Sequence, residues 1–220
     1  MDAVRSIKIR HTVRAFKPIP VAKGVLEELL NTAIRAPSWA NTQTWEFAVV
    51  GGDTMEELKQ ILAVKALAQD ERHPDIPRPD WPSPYRERSR ENGLRLYQLL
   101  GIGREDQEKQ LQWFTQMYGF FGAPNCIIVY TDKGLSEWAL FNIGLVVQNI
   151  TLAALKYGLG TAILAAAVGF PDELRNLLNI PESKQQVISI AIGYPDLENK
   201  LNEFRSNRVP LDTITSWHGF

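Results

Sequence analysis

Trp138-Ala-Leu-Phe-Asn-Ile-Gly-Leu-Val-Val-Gln-Asn-Ile-Thr-Leu-Ala-Ala-Leu155 is a run of 18 residues without a charged side chain. That length stands at the lower limit for a membrane-spanning helix. The run also carries Asn142, Gln148, Asn149 and Thr151, with Gly144 among them. Those polar groups would be costly against lipid. The stretch therefore reads as a helix buried on nearly all sides, in a protein core or a subunit interface, and it ends at Gly158.

Working outward, Asn125-Cys-Ile-Ile-Val-Tyr-Thr131 before it and Thr161 to Ala165 after it read as strands. A short helix from about Pro171 to Leu178 and a strand from Val187 to Ile192, closed by Gly193, complete the C-terminal half. The tail from Leu197 is polar, and VPLDTITSW suggests a short terminal helix. Upstream, a helix follows Asp2 up to about Arg10. Val21, Val25, Leu26, Leu29, Leu30, Ala33 and Ile34 form one helical stripe that Pro37 ends. Glu46 to Val50 is a short apolar strand closed by Gly51 and Gly52. Asp53 is placed to cap a helix running to about Ala68. Two further helices are expected, from about Tyr85 to Leu100 and from about Glu105 to Phe121. Between Asp70 and Arg90, five prolines (74, 77, 79, 82 and 84) forbid regular structure, with Trp81 and Tyr85 among charges. This segment is either a solvated connection or a lid whose aromatic side chains close over a site. The pattern is helix-rich with few, short strands, hence α+β, in a single domain spanning residues 1–220.

The 220 residues include 24 basic and 25 acidic side chains, for a net charge of −1. A broad nucleic-acid or anionic-membrane surface is therefore not expected, although a local cationic pocket is compatible with that balance. A single cysteine excludes an intrachain disulfide and argues against a cysteine-based metal cluster. Cys126 heads a strand and reads as a small buried apolar residue. The N-terminus lacks an apolar signal region, so a soluble, cytoplasmic protein is expected. There is no P-loop and no HExxH, CxxC or GxSxG motif. Gly158-Leu-Gly160 follows a helix instead of a strand and is no dinucleotide fingerprint. His11, His73 and His218 are far apart and form no recognisable metal set.

Three clusters remain. Arg10-His11-Thr12-Val13-Arg14 gathers cations and a hydroxyl that suit a phosphate, since arginine presents forked donors; a basic run at a helix end is equally a solvated face favoured by the helix dipole. Pro37-Ser38-Trp39-Ala40-Asn41-Thr42-Gln43-Thr44-Trp45 places donors, acceptors and two indole rings on one loop, suited to a flat heterocycle, or simply makes a capped turn with Trp45 in the core. Arg205-Ser206-Asn207-Arg208 alone is a surface loop; joined to Arg10 and Arg14 it would form a second wall of a phosphate site.

In this order the clusters resemble the FMN-dependent nitroreductase family. Its opening pattern is met by Arg10-His11-Thr12-Val13-Arg14-Ala15-Phe16, and its A-P-S-x-x-N-x-Q-x-W pattern by Ala36 to Trp45. G-L-G-T is met by Gly158 to Thr161, and the closing G-Y and R-x-P-L by Gly193-Tyr194 and Arg208 to Leu211. The match spans nearly the whole chain. Pro84-Tyr85, Phe121-Gly122-Ala123-Pro124 and Gln148 resemble a nitrobenzoate-reductase-like branch.

The resemblance implies a short mixed central sheet flanked by helices, in an interleaved homodimer with one FMN at each of two interfaces. It implies ping-pong chemistry in which NADH or NADPH reduces the flavin and a nitroaromatic, quinone or related small acceptor reoxidises it. Enone reduction, dehalogenation, azoline oxidation and flavin binding without turnover remain alternatives on the same fold. By the same resemblance, Arg10, Thr12 or His11, and Arg208 hold the flavin phosphate, with Arg205 as a second candidate. Arg14 lies near flavin N1 and O2. Ser38, Asn41 and Trp39 come from the partner subunit, Pro37 belongs to the same cofactor-binding set, and Gln43 faces the ribityl chain or the ring. Ile163, Leu164, Ala165 and Ala166 line the dimethylbenzene-to-N5 edge, with a backbone N–H of Ala165 or Ala166 donating to N5. Ala165 and Ala166 depart from the acidic residue and glycine that some relatives carry, and Trp39 is bulkier than the usual residue at its place. No side chain is required as acid or base. Acceptor choice is expected in the Asp70–Arg90 segment and near Tyr118 to Phe121.

Overall fold

The computed structural model describes residues 2–220. Asp2 caps α1 (Ala3–Ile9), accepting from the Arg5 N–H at 2.9 Å. α2 (Lys23–Ala33) turns Leu26, Leu29 and Ala33 inward. β1 (Glu46–Gly51) runs directly into α3 (Gly52–Leu67). Asp53 is not the cap expected of it. Gly51 holds the N-cap position and Gly52 adopts φ +59°, so Asp53 sits in the first turn, where its negative charge is favoured by the positive end of the helix dipole.

α4 (Tyr85–Leu100) buries only Leu96. α5 (Gln107–Tyr118) stops short of the expected Phe121, because Phe120 and Phe121 take left-handed φ angles of 53° and 56° in a 3-10 turn. β2 (Asn125–Asp132) is followed by α6 (Glu137–Ala154), then β3 (Gly160–Leu164), which stops one residue before the expected Ala165. α7 (Pro171–Leu178) opens on proline, whose missing N–H is harmless at that position. β4 (Lys184–Gly193) begins three residues earlier than its apolar run suggests, since Lys184, Gln185 and Gln186 pair with Asp132, Thr131 and Tyr130 beyond a register shift. The terminal helix reduces to a 3-10 turn at Leu211–Thr213.

The strands form one sheet in the order β1-β2-β4-β3, antiparallel throughout. Parallel pairing, expected of a mixed sheet, is confined to the isolated bridge between Thr12 and Thr161. Cys126, Ile127, Ile128 and Val129 of central β2 are fully buried, which explains its unbroken apolar run. Ile127, Val129, Ile190 and Ile192 pack with Leu26 and Leu29 of α2 and Ile143, Val146 and Ile150 of α6 on one face. Cys126, Ile128, Ala162 and Ala191 meet Met55, Leu58 and Leu62 of α3, Tyr118 and Leu174 on the other. Each large side chain so buried contributes about 1.5–3 kcal/mol.

α6 is long and apolar enough to cross a membrane by length and composition alone, with a mean hydropathy of 1.6. It lies instead against α2 and the sheet through Ile143, Val146, Val147 and Ile150. Its opposite face is open in the single chain, with Trp138 and Phe141 respectively 59% and 58% exposed.

Candidate functional site

The segment after α1 is drawn onto the end of the sheet by backbone pairing. Val13 N–H donates to the Thr161 carbonyl at 3.0 Å, and Lys17 N–H to that of Tyr194 at 2.8 Å. Two glycines permit the approach. A Cβ on Gly160 would stand 2.4 Å from Val13 Cγ2, and one on Gly193 would stand 3.2 Å from Phe16 Cδ1 as well as 2.7 Å from Pro124 Cδ. This gives the G-L-G-T and G-Y patterns a steric reason.

Asn202, buried in the polar tail, binds the two chain ends together. Its Oδ1 accepts from Arg14 N–H at 2.7 Å, and its Nδ2 donates to the carbonyls of Ala15 and Asp196, both at 2.8 Å. Phe204 follows, with the guanidinium groups of Arg14 and Arg95 each 5.4 Å from its ring centroid. Arg205 is steadied by donating to the Asn202 and Phe204 carbonyls at 2.7 and 3.0 Å. Sequence reading did not single out Asn202 or Phe204. An asparagine in a polar tail carries no pattern, and its role appears only when the ends meet.

The outcome is a cavity of about 530 Å³ lined by Arg10, His11, Thr12, Arg14, Arg205 and Arg208, together with Gln148 of α6 and Phe204. Among the described residues, none of the four arginines takes part in an ion pair. Burial lowers the pKa of Arg14. Burial and then the charge of Arg208 lower that of Arg10. His11 is also held below 6.5, chiefly by burial and further by Arg205, Arg10 and Arg14, although its contact with the Ile9 carbonyl opposes the shift. Concentrated positive charge without a counter-ion is an anion-binding arrangement.

The second cluster lies elsewhere in the chain. Ala40, Asn41 and Gln43 adopt left-handed φ angles of 48°, 60° and 47°. Ser38 Oγ accepts from Gln43 N–H at 3.0 Å, and Asn142 of α6 accepts from Trp39 N–H at 3.0 Å. Asn142 and Gln148 are six residues apart, so about 9 Å of helix rise separates the loop's anchor from the cationic cavity. Pro37, Ser38, Trp39, Asn41 and Gln43 do not line that cavity. The two indoles also separate: Trp45 is core at 7% exposure, whereas Trp39 is open at 63%.

Ile163 is exposed, Leu164 and Ala166 are buried, and Ala165 opens onto a different cavity of about 710 Å³. Its other wall is the proline-rich segment, through Arg72, Pro74, Ile76, Pro77, Arg78 and Pro79. That segment is tied down at its base. His73 N–H donates to the Gly169 carbonyl at 3.0 Å. Asp75 takes Arg175 Nη2 on both oxygens, at 2.7 and 2.6 Å, and the Gln186 N–H at 2.8 Å. Trp81 and Tyr85 do not line this cavity; both are more than half exposed. Tyr118, Phe120 and Phe121, expected to influence acceptor choice, are core residues, although Tyr118 also borders a smaller cavity of about 410 Å³.

Comparison with known proteins agrees with this geometry. The family model described as "Nitroreductase family" matches residues 7–194. The chain is 30% identical to the 4-nitrobenzoate reductase of Pseudomonas putida over 220 residues, covering all of this chain and 96% of that one. It is 29% identical to the nitroreductase NfnB of Mycolicibacterium smegmatis, over 97% of this chain and 91% of the relative. Among solved structures, the FMN- and NADPH-dependent nitroreductase NfnB from sphigopyxis sp. strain HMH superposes with a TM-score of 0.94 at 26% identity, over the full length of both chains. The FMN-dependent NfnB from Mycobacterium smegmatis, in complex with NADPH, gives 0.93 at 28% identity, over 98% of this chain and 97% of that one. Sequence patterns, the sheet end they occupy and these likenesses converge: the chain belongs to the nitroreductase family.

Proposed function

We propose that the protein is a cytoplasmic, homodimeric, FMN-dependent oxidoreductase that takes electrons from NADH or NADPH and reduces nitroaromatics, quinones or related small acceptors. The observation that carries this reading is the convergence of Arg10, Arg14, Arg205 and Arg208 on one cavity without a carboxylate partner. When bound, FMN supplies the two-electron redox chemistry. The chain's own residues bind and orient it. Arg10 and Arg208, with Thr12 or His11, hold the phosphate through charge-assisted hydrogen bonds, and Arg205 adds a further cation. Arg14, deepest of the group, would hold the ring at its N1–O2 edge, where a cation would favour the reduced form. Backbone at Ala165 or Ala166, with Ile163 and Leu164, would meet the opposite edge of the ring. No side chain need gain or lose a proton; orientation does the work.

The homodimer is supported by what one chain leaves open. α1 buries no side chain, Trp138 and Phe141 project from α6, and Trp217 and Phe220 lie exposed in the tail. Apolar patches of this kind mark association surfaces. A second copy would bring the loop of Pro37, Ser38, Trp39, Asn41 and Gln43 to its neighbour's cavity. The cationic charge is concentrated at one cavity in a chain of net charge −1, which favours a small anionic ligand over a nucleic acid or a membrane surface.

Purified protein should carry or take up FMN, visible in its absorption spectrum, and anaerobic addition of NADH or NADPH should bleach it. A preparation that never takes up added FMN would refute this function. Bound flavin that neither nicotinamide reduces would leave a binding protein in its place.

A further inference from the structure

We propose that Arg72 is a specificity-determining residue whose side chain partitions the cavity at Ala165 from a second cavity behind it and so limits the size of acceptor the enzyme reduces. The inference rests on the flavin reading above, which puts the reacting edge of the ring at Ala165.

The second cavity, of about 410 Å³, lies between α3, α5 and the start of α7, with Phe114, Tyr118 and Phe170 in its wall. Arg72 and Asp70 alone border both spaces. Asp70 is fixed, its carboxylate 3.2 Å from Lys65 Nζ and its N–H donating to the Lys65 carbonyl at 3.1 Å. Arg72 is held differently. Its stem lies across Gly169 so closely that a Cβ there would stand 3.1 Å from Arg72 Cδ. Its guanidinium lies over the Phe114 ring, 5.7 Å from the centroid. Among the described residues, its side chain has no ion pair and no hydrogen bond of the kind that anchors Asp75. The partition is therefore maintained by packing on a glycine and by a cation–π contact, at a place where neighbouring backbone is already pinned through His73 N–H. Removing the stem beyond Cβ joins the two spaces and enlarges the acceptor side by more than half. The first cavity alone falls within the roughly 300–1,000 Å³ of small-molecule sites; an acceptor that stays within it is untouched by the partition, whereas one long enough to reach toward the second space meets the Arg72 side chain.

The test compares wild type, Arg72→Ala and Phe114→Leu as flavin-loaded protein, with nitrobenzene and 4-nitrobiphenyl as acceptors. Flavin bleaching by NADPH is followed separately by anaerobic stopped flow. Arg72→Ala should raise the ratio of kcat/KM for 4-nitrobiphenyl over nitrobenzene by about tenfold, the scale on which pocket shape discriminates substrates, with bleaching unchanged. Phe114→Leu, which removes the ring but keeps the helix, should shift the ratio in the same direction by less, and it stands as the test if Arg72→Ala does not fold. A ratio unchanged in both variants would overturn the partition, as would equal slowing of both acceptors. A wild type that binds no FMN would end the flavin reading, and this inference with it.

Discussion

Two regions of this chain treat charge in opposite ways. At the cationic cavity, Arg10, Arg14, Arg205 and Arg208 meet no carboxylate among the described residues, and burial works against the protonated forms of Arg10, His11 and Arg14. Beneath the proline-rich segment, the deeply buried Arg175 is matched to Asp75, and Lys65 to Asp70. Unmatched charge stores affinity for a ligand that arrives later. Matched charge spends its attraction on holding backbone. The same residue type therefore has a binding role in one place and a structural role in the other.

Mutations that remove one arginine from each region should separate these roles. Arg175→Ala leaves Asp75 buried without its partner, and loss of one member of a buried pair costs about 3–5 kcal/mol. Thermal melting should show a large drop, and protein that still folds should retain FMN affinity. Arg208→Ala should do the reverse. FMN binding weakens by about 1.5–3 kcal/mol, roughly ten- to a hundredfold in Kd by fluorescence titration, with the flavin-free melting temperature nearly unchanged. Arg10→Ala should match it. If either substitution moves stability and affinity together, the contrast fails.

Asn202→Ala lies between the extremes, since its three hydrogen bonds join the backbone at Arg14 to the segment carrying Arg205. A loss of about 1–3 kcal/mol is expected in melting, accompanied by weaker FMN retention. The smallest effect belongs to His11. Its pKa in the folded protein lies below the ordinary 6.5. The unfolded chain therefore binds the proton more readily, and stability that is fully present above pH 6.5 is lost as pH falls toward the folded-state value. Flavin-free protein should melt progressively lower across that window, and His11→Gln should flatten the dependence. An unchanged slope would count against an uncompensated cationic cluster around this ring.

Much of the architecture is legible in the sequence because burial imposes periodicity. The unbroken run of β2 and the uncharged run of α6 both announce their surroundings. Gly160 and Gly193 sit where the N-terminal segment approaches, and the arginines expected to meet do meet. What escapes is polar and non-local. Gln186 and Lys184 extend β4 without an apolar signature, and Asn202 and Asp75 act on partners 188 and 100 residues away, respectively. The left-handed Phe120 and Phe121 ended a helix that propensity would have continued. Trp81 and Tyr85 attracted notice as aromatics, yet the cavity wall is built from prolines and arginines nearby. Such features arise from tertiary contact, which no local window contains.

The tether at His73 and Asp75 has a consequence for how this chain tolerates substitution. Because the anchors lie at the base, the stretch from Ile76 to Pro79 overhangs the cavity without a backbone hydrogen bond to the rest of the chain among the described residues. Substitutions along those few positions would reshape the cavity wall without disturbing the anchors that hold it.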